Sequence, residues 1–232
     1  MRLLAALGLM VLAGCASTGE ERDPRDPFEG FNRGVTKFND TFDEYLARPV
    51  ARGYVKVLHQ EIRSRIANFF SNLADPFIGV NNFLQGKFEN GVNDLARFAF
   101  NSTIGLLGIH DVASEMGLEK HNEDFGQTFG RWGAGDGAYL VLPFFGPSTL
   151  RDTGGLVLDV AADPVSRHRP VDEGNAATAA RVVSRRADLL DASRLLDEAS
   201  LDRYVFLRDA YLQRRRSLVY DGSPPRERRP EE

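Results

Sequence analysis

Large apolar residues return at steps of three and four along most of this chain, and that spacing limits the fold more than any other feature. In FEGFNRGVTKFNDTFDEYL, the residues Phe31, Val35, Phe38, Phe42 and Tyr45 fall on one face of a helix. Pro49 opens a second element, in which Ile62, Ile66, Phe69 or Phe70, and Leu73 repeat the spacing. Asp75-Pro76 is expected to separate that helix from a short one carrying Phe77, Val80 and Leu84. A turn at Gln85-Gly86-Lys87 then leads to a partner helix with Phe88, Val92, Leu95 and Ala99, so the pair reads as a helical hairpin. Farther on, Pro147-Ser148 is placed to cap a helix reaching about Ala162, which Asp163-Pro164 ends. Two more helices are expected over about 172–198 and 200–219. The prediction is an all-α single domain over 28–220, made of about seven amphipathic helices, with a polar tail over 221–232 too poor in apolar residues to fold.

The phenylalanines crowd into the first half of the chain. Of 16 in total, 11 lie between Phe28 and Phe100. They either build a core or form faces pressed into a membrane interface. Periodicity leaves both readings open, because a core and a bilayer ask for the same apolar stripe.

The N-terminus speaks to location. MRLLAALGLMVLAGCASTGEE has one positive residue, a short apolar run and a small-residue end, the layout of a secretory signal peptide over 1–14. Leu12-Ala13-Gly14-Cys15 resembles the lipobox of bacterial lipoproteins, in which the cysteine is acylated and becomes the new N-terminus. Cys15 is the chain's single cysteine, and acylation would remove a thiol that is a liability in an oxidising compartment. Residues 15–27 then form a lipidated N-terminus and linker. Ala16-Ser17 after the cysteine, in place of an aspartate, points to the outer membrane. No uncharged run after Cys15 reaches the length of a membrane-spanning helix. A net charge of −4 gives no electrostatic support to a nucleic-acid partner.

The stretch FGQTFGRWGAGDGAYLVLPFFGPSTLRDTGG holds eight of the chain's 22 glycines. Gly133-Ala134-Gly135-Asp136-Gly137 lacks the spacing of a dinucleotide fingerprint, and no P-loop lysine follows it. Gly146-Pro147-Ser148 approaches a hydrolase nucleophile motif but lacks its second glycine, so Ser148 reads as a helix cap. His59, His110, His121 and His168 are scattered, and His121 to Asp124 reads as a solvated loop. These patterns predict no catalytic constellation, no metal site and no cofactor.

Several blocks converge on one family. DPFEGFNRGVTKFND, RPVARGY, NFFSNLADPFIGVNNFLQGKFENG, RFAFNSTIGLLGIHDVA, the glycine-rich stretch above and RADLLDASRLLDEASLDRYVFLRDAYLQRR together resemble the MlaA (VacJ) family of outer-membrane lipoproteins, from about Asp26 to Arg216. The resemblance implies a ring-like, all-helical, non-catalytic protein, lipid-anchored on the periplasmic side of the outer membrane. It further implies that phospholipid misplaced in the outer leaflet is removed and passed to a periplasmic carrier of the MlaC type, in association with a trimeric porin. Phe28, Phe31, Asn32, Phe38 and Asn39 carry the family's N-terminal motif. A phospholipid needs an opening that accepts a polar head and yields to apolar tails. Gly133, Gly135, Gly137 and Gly146 supply backbone freedom, and Leu140, Leu142, Pro143, Phe144 and Phe145 supply apolar surface, so this loop is expected at the opening of a lipid path. The same glycines would also serve tight turns in a packed hairpin. Arg131 and Arg151 flank the loop, placed to attract a phosphate or to pair with Asp136 and Asp152. The alternatives from other classes are an envelope phospholipid hydrolase and a structural envelope lipoprotein.

Overall fold

Four helices start on a side chain that accepts a backbone N–H from the first turn. Asp111, Asp124, Thr149 and Asp202 accept from Ser114, Gln127, Asp152 and Tyr204, and each fills a donor that a helix start leaves open. The structure is a computed structural model that describes residues 23–199 and 202–225. In chain order it contains α1 (Glu29–Phe42), a π-helical turn (Asp43–Ala47), α2 (Arg48–Val57), α3 (Gln60–Leu84), α4 (Phe88–Thr103), α5 (Val112–Glu115), α6 (Phe125–Arg131), β1 (Tyr139–Leu142), β2 (Gly146–Thr149), α7 (Leu150–Ala162), α8 (Val171–Asp188), α9 (Leu190–Ala199) and α10 (Arg203–Val219). The signal segment 1–14, Cys15 and the tail from 226 lie outside the described residues. Within the expected tail, Asp221 ion-pairs with Lys87.

The protein is mostly helical, as expected, and four local expectations need correction. Asp75-Pro76 does not end a helix, since α3 runs unbroken over 25 residues with Pro76 inside. The proline leaves the Asn72 carbonyl without its helical donor, and one residue earlier the Ser71 carbonyl accepts from the Lys120 ammonium at 3.1 Å. Pro49 does not open a separate element either, because the π turn joins α1 to α2 without a break. The wider turn coincides with the N–H that proline lacks. The helix expected over 172–198 is divided at Leu189. The glycine-rich segment contains an antiparallel pair, with Tyr139 opposite Thr149 and Leu142 opposite Gly146.

The contacts between elements close on themselves in the order of a ring. α1 meets β1, β1 pairs with β2, β2 meets α7, and α7 packs on α6. α6 meets α3, α3 meets α8, α8 packs on α2, and α2 returns through the π turn to α1. Arg186 of α8 fastens that last junction, donating to Asp43 of the π turn at 2.5 Å.

Burial separates the two readings that periodicity left open. On α4 the buried residues are Gly91, Asp94, Arg97 and Asn101, while Phe88, Val92 and Leu95 are 67, 61 and 41 % exposed. α3 repeats the pattern with Asn72, Asp75, Asn81 and Asn82 buried and Phe69, Val80 and Leu84 exposed. On α1 the buried residue is Asn32, and Phe31, Phe38 and Phe42, followed by Tyr45 in the π turn, are exposed. These helices are amphipathic in the inverted sense, with polar faces turned to the protein and apolar faces turned out. The buried polar groups pair with one another in part: Asn82 donates to Asp94 at 2.7 Å and Arg97 Nη2 meets both oxygens of Asp111 at 2.9 and 3.0 Å, while Asn82 Oδ1 and Arg97 Nε have no hydrogen-bond partner. His121, expected in a solvated loop, instead meets Asp94 through Nδ1 at 3.0 Å. Asp124 of the same loop caps α6.

Candidate functional site

The N-terminal motif and the glycine-rich loop form one unit, which the sequence alone did not join. Asn32 and Asn39 lie two helical turns apart on α1 and point at β1. Asn32 donates to the Tyr139 carbonyl at 3.0 Å and accepts the Val141 N–H at 2.9 Å. Asn39 donates to the Leu142 carbonyl at 3.0 Å and accepts the Phe144 N–H at 2.8 Å. Each amide thus offers β1 a donor and an acceptor in the manner of a neighbouring strand, and the Arg25 carbonyl accepts from the Tyr139 N–H at 2.8 Å on the same edge. An edge that would otherwise carry unpaired backbone groups is filled by side chains.

The hairpin tip, Pro143-Phe144-Phe145, is apolar and open. Phe144 and Phe145 are 64 and 66 % exposed. Phe144 stands edge-on to Phe38 and Phe42, with ring centroids 5.2 and 5.0 Å away. Phe144 and Gly146 have positive φ, 67° and 80°. Leu140 and Leu142 are half-buried along β1, and Phe28 and Phe31 lie exposed at the start of α1. Of the three glycines before the strand, Gly133 and Gly137 have positive φ, 97° and 69°, whereas Gly135 does not, and a Cβ at Gly135 would meet nothing within 4 Å. The backbone freedom expected at Gly135 is therefore not drawn upon in this conformation.

The base of the hairpin is held by charge. Arg151 is buried and pairs with Asp136 and Asp152. Arg131 is 44 % exposed, with only a distant ion pair to Asp221 at 3.9 Å. Ser148 is buried, and its hydroxyl lies 2.9 Å from that of Thr153. The capping role expected of Ser148 belongs to Thr149. Arg215 of α10 donates to both oxygens of Asp124 at 2.6 and 2.9 Å and to Asp152 at 2.9 Å, and Tyr211 donates to Asp152 at 2.8 Å. Burial raises the pKa of Asp124 and Asp152, but Arg215, together with the Gln127 N–H at Asp124 and with Tyr211 and Arg151 at Asp152, more than reverses this, so both carboxyls lie below their ordinary range. Asp159 differs. Burial, with the carboxylates of Asp124 and Asp152 adding to it, pushes its pKa up to about 6 against the bond from the Phe125 N–H and the charge of Arg215. A cavity of about 160 Å³ opens among Phe145, Pro147, Asp159 and Arg215, below the roughly 300 Å³ of an ordinary small-molecule site.

Behind β1 lies a second layer that sequence reasoning missed. Tyr139, Val141 and Tyr204 are buried together. Tyr204 donates to Asp26, which accepts from Asn32 at 2.8 Å and from Arg208 at 3.4 Å. The signal was present in α10: Tyr204, Arg208, Tyr211 and Arg215 recur at steps of four, three and four. It went unread because the inward residues are polar.

Comparison with known proteins decides the family, since the model of the MlaA lipoprotein family matches residues 24–218. The chain belongs to the MlaA lipoprotein family. Relatives named "Intermembrane phospholipid transport system lipoprotein MlaA" include those of Shigella flexneri and Escherichia coli K12, each 38% identical over 96% of this chain and 90% of theirs. The MlaA of Haemophilus influenzae is 31% identical over 95% of this chain and 90% of its own. A solved structure reported as the "Structural basis for maintenance of bacterial outer membrane lipid asymmetry" superposes with a TM-score of 0.74 at 36% identity, covering 85% of this chain and 100% of the other. The resemblance read from the sequence blocks and the family match therefore agree.

Proposed function

We propose that this protein works in the outer membrane as a phospholipid transporter that preserves lipid asymmetry, removing phospholipid from the outer leaflet and passing it on without chemical change. The inverted burial of α4 carries the reading: Asp94, Arg97 and Asn101 inside, Phe88, Val92 and Leu95 outside. In water, each exposed phenylalanine or leucine would forgo about 2 kcal/mol available from leaving it. Against acyl chains the same faces are stable. No helix among the described residues is long and apolar enough to cross a membrane, so the proposal is a protein seated in one leaflet. Acylated Cys15 would anchor it from the periplasmic side.

The hairpin with Phe144 and Phe145 at its tip supports an opening for the lipid tails, with Gly133, Gly135 and Gly137 as the stretch that lets it adjust. Arg131, with its open guanidinium, is the better placed of the two flanking arginines to meet a headgroup phosphate, because Arg151 is engaged by two aspartates. A periplasmic carrier of the MlaC type as acceptor and a trimeric porin as partner complete the proposal on family grounds.

The test uses cells lacking the gene, complemented with the native chain or with Val92→Asp, and reads outer-leaflet phospholipid by surface labelling. A charge at a water-facing position would be tolerated. Facing lipid it should abolish complementation, and normal retrieval by Val92→Asp would overturn the reading.

A further inference from the structure

α4 ends in a loop that the transport reading leaves unused. Ile104, Leu106 and Leu107 are 63, 63 and 68 % exposed. Leu106 and Leu107 both hold a left-handed backbone, φ 54° and 60°, which is strained for any residue with a Cβ and free for glycine. Glycine stands instead on either side of them, where space demands it. A Cβ at Gly105 would lie 2.2 Å from the His110 carbonyl oxygen, and one at Gly108 would lie 2.4 Å from the Asn72 side chain. The loop is also fastened from behind. Gly108 donates to the Asn101 carbonyl at 2.7 Å, His110 to the Gly105 carbonyl at 2.9 Å, and Asn68 of α3 to the Ile109 carbonyl at 3.4 Å. Two strained leucines thus point away from the protein on a backbone that is held in place.

The surroundings indicate what covers them. From Ile66 to Leu84 the α3 segment holds one charged residue, Asp75, and from Val92 to Ile109 there are two, Asp94 and Arg97, all three buried. The outward surface is uncharged over about 27 Å of α3 and about 16 Å of α4, at 1.5 Å per residue. The leucine loop sits beside Asn68 and Asn72, at the edge of that surface nearest Arg63 and Arg65 in the first turns of α3. We propose that the 104–109 loop is a membrane anchor, in which Leu106 and Leu107 insert among the acyl chains of a phospholipid bilayer. The interior of a bilayer asks for an uncharged apolar surface of this kind, with cations at its edge where the phosphate headgroups lie. The proposal rests on the reading above that the apolar faces of α3 and α4 meet lipid.

Cys15 is the chain's single cysteine, so Leu107→Cys and Leu95→Cys in the full chain accept an environment-sensitive fluorophore at a new position, with the labelled native chain as blank. The proteins are placed in vesicles of phosphatidylethanolamine and phosphatidylglycerol, with or without nitroxide on the acyl chains. Both labels should shift to the blue and lose most of their emission to the nitroxide. A Leu95 label in lipid beside a Leu107 label in water overturns the anchor and leaves the transport reading standing. Both labels in water would overturn both. A Leu107 label that is blue-shifted yet untouched by nitroxide is covered by protein, and that also overturns the anchor.

Discussion

Asn39 and Phe144 are joined side chain to backbone, the Asn39 Oδ1 accepting the Phe144 N–H at 2.8 Å while the Phe144 ring stands edge-on to Phe38 and Phe42. One helix therefore controls both the backbone and the side chain at the hairpin tip. Its polar face, through Asn32 and Asn39, replaces a strand along β1, and its apolar face continues into the exposed tip. A shift or rotation of α1 would move the tip with it, since no turn of flexible backbone separates them.

The two asparagines should differ when removed. Asn39→Ala loses two hydrogen bonds in a half-buried setting, roughly 1–2 kcal/mol in all. Asn32→Ala strips partners from the Val141 N–H, the Tyr139 carbonyl and buried Asp26, and should cost about 3 kcal/mol or more. Denaturant unfolding in mild detergent gives the order, and hydrogen exchange at the Phe144 amide should quicken in Asn39→Ala. Equal costs would mean that the burial of Asn32 and its bond to Asp26 add nothing to its hold on β1.

Among the loop glycines, valine should be tolerated at Gly135 and resisted at Gly137. Gly135 has ordinary φ and open space, so its change is worth about 0.5 kcal/mol or less for the folded state. Gly137→Val must place a branched residue at φ 69° with Leu150 3.0 Å from the new Cβ, at a cost of roughly 1–3 kcal/mol. Thermal unfolding and protein level by immunoblot check the order. If Gly135→Val stops retrieval at normal abundance, the loop must visit a conformation that valine forbids.

How much of this was legible in the sequence depends on what each residue faces. The helices at Phe31 to Tyr45 and Phe88 to Ala99 were readable because a three-and-four spacing survives whichever way the stripe points. Which way it points was not, since Phe88 would occupy the same register in a core. Asp75-Pro76 reads as a helix end because the packing around it is distant in sequence: Lys120, which meets Asp75 and the Ser71 carbonyl, lies 45 and 49 residues from them. The glycine-rich loop was found, but its strands are four residues each, and their edge is completed by side chains from α1 more than 100 residues away. Arg215 and Tyr204 escaped notice because polar residues were not expected to mark an inner face.

Arg215 offers a direct check on that inner face. It joins the cap of α6, Asp124, to Asp152 in the first turn of α7. Arg215→Met leaves the half-buried Asp124 without its counter-charge and buried Asp152 with Arg151 alone, and should cost about 3 kcal/mol. Arg215→Lys restores charge without the planar fork and should recover only part of it. Full recovery by lysine, measured in denaturant, would mean that charge alone is required.

Asp159 should make stability depend on pH in the opposite sense to its neighbours. Its folded pKa is about 6, above the ordinary 3.8, chiefly because it is buried. A raised carboxyl pKa means that the folded state binds the proton more readily than the unfolded chain. The ionised group therefore weakens the fold above about pH 6, and the penalty fades as pH falls towards 3.8. Asp124 and Asp152, with lowered pKa values, lose their contribution on acidification, but they do so equally in the native chain and in a variant at Asp159. The comparison to make is thus Asp159→Asn minus native at each pH. Asparagine keeps a carbonyl oxygen for the Phe125 N–H and removes the charge. The variant should melt at higher temperature than the native chain at about pH 7.5, and the gain should vanish near pH 4. A gain that persists at low pH would trace the effect to packing, and no gain at neutral pH would show that solvent already relieves the buried charge.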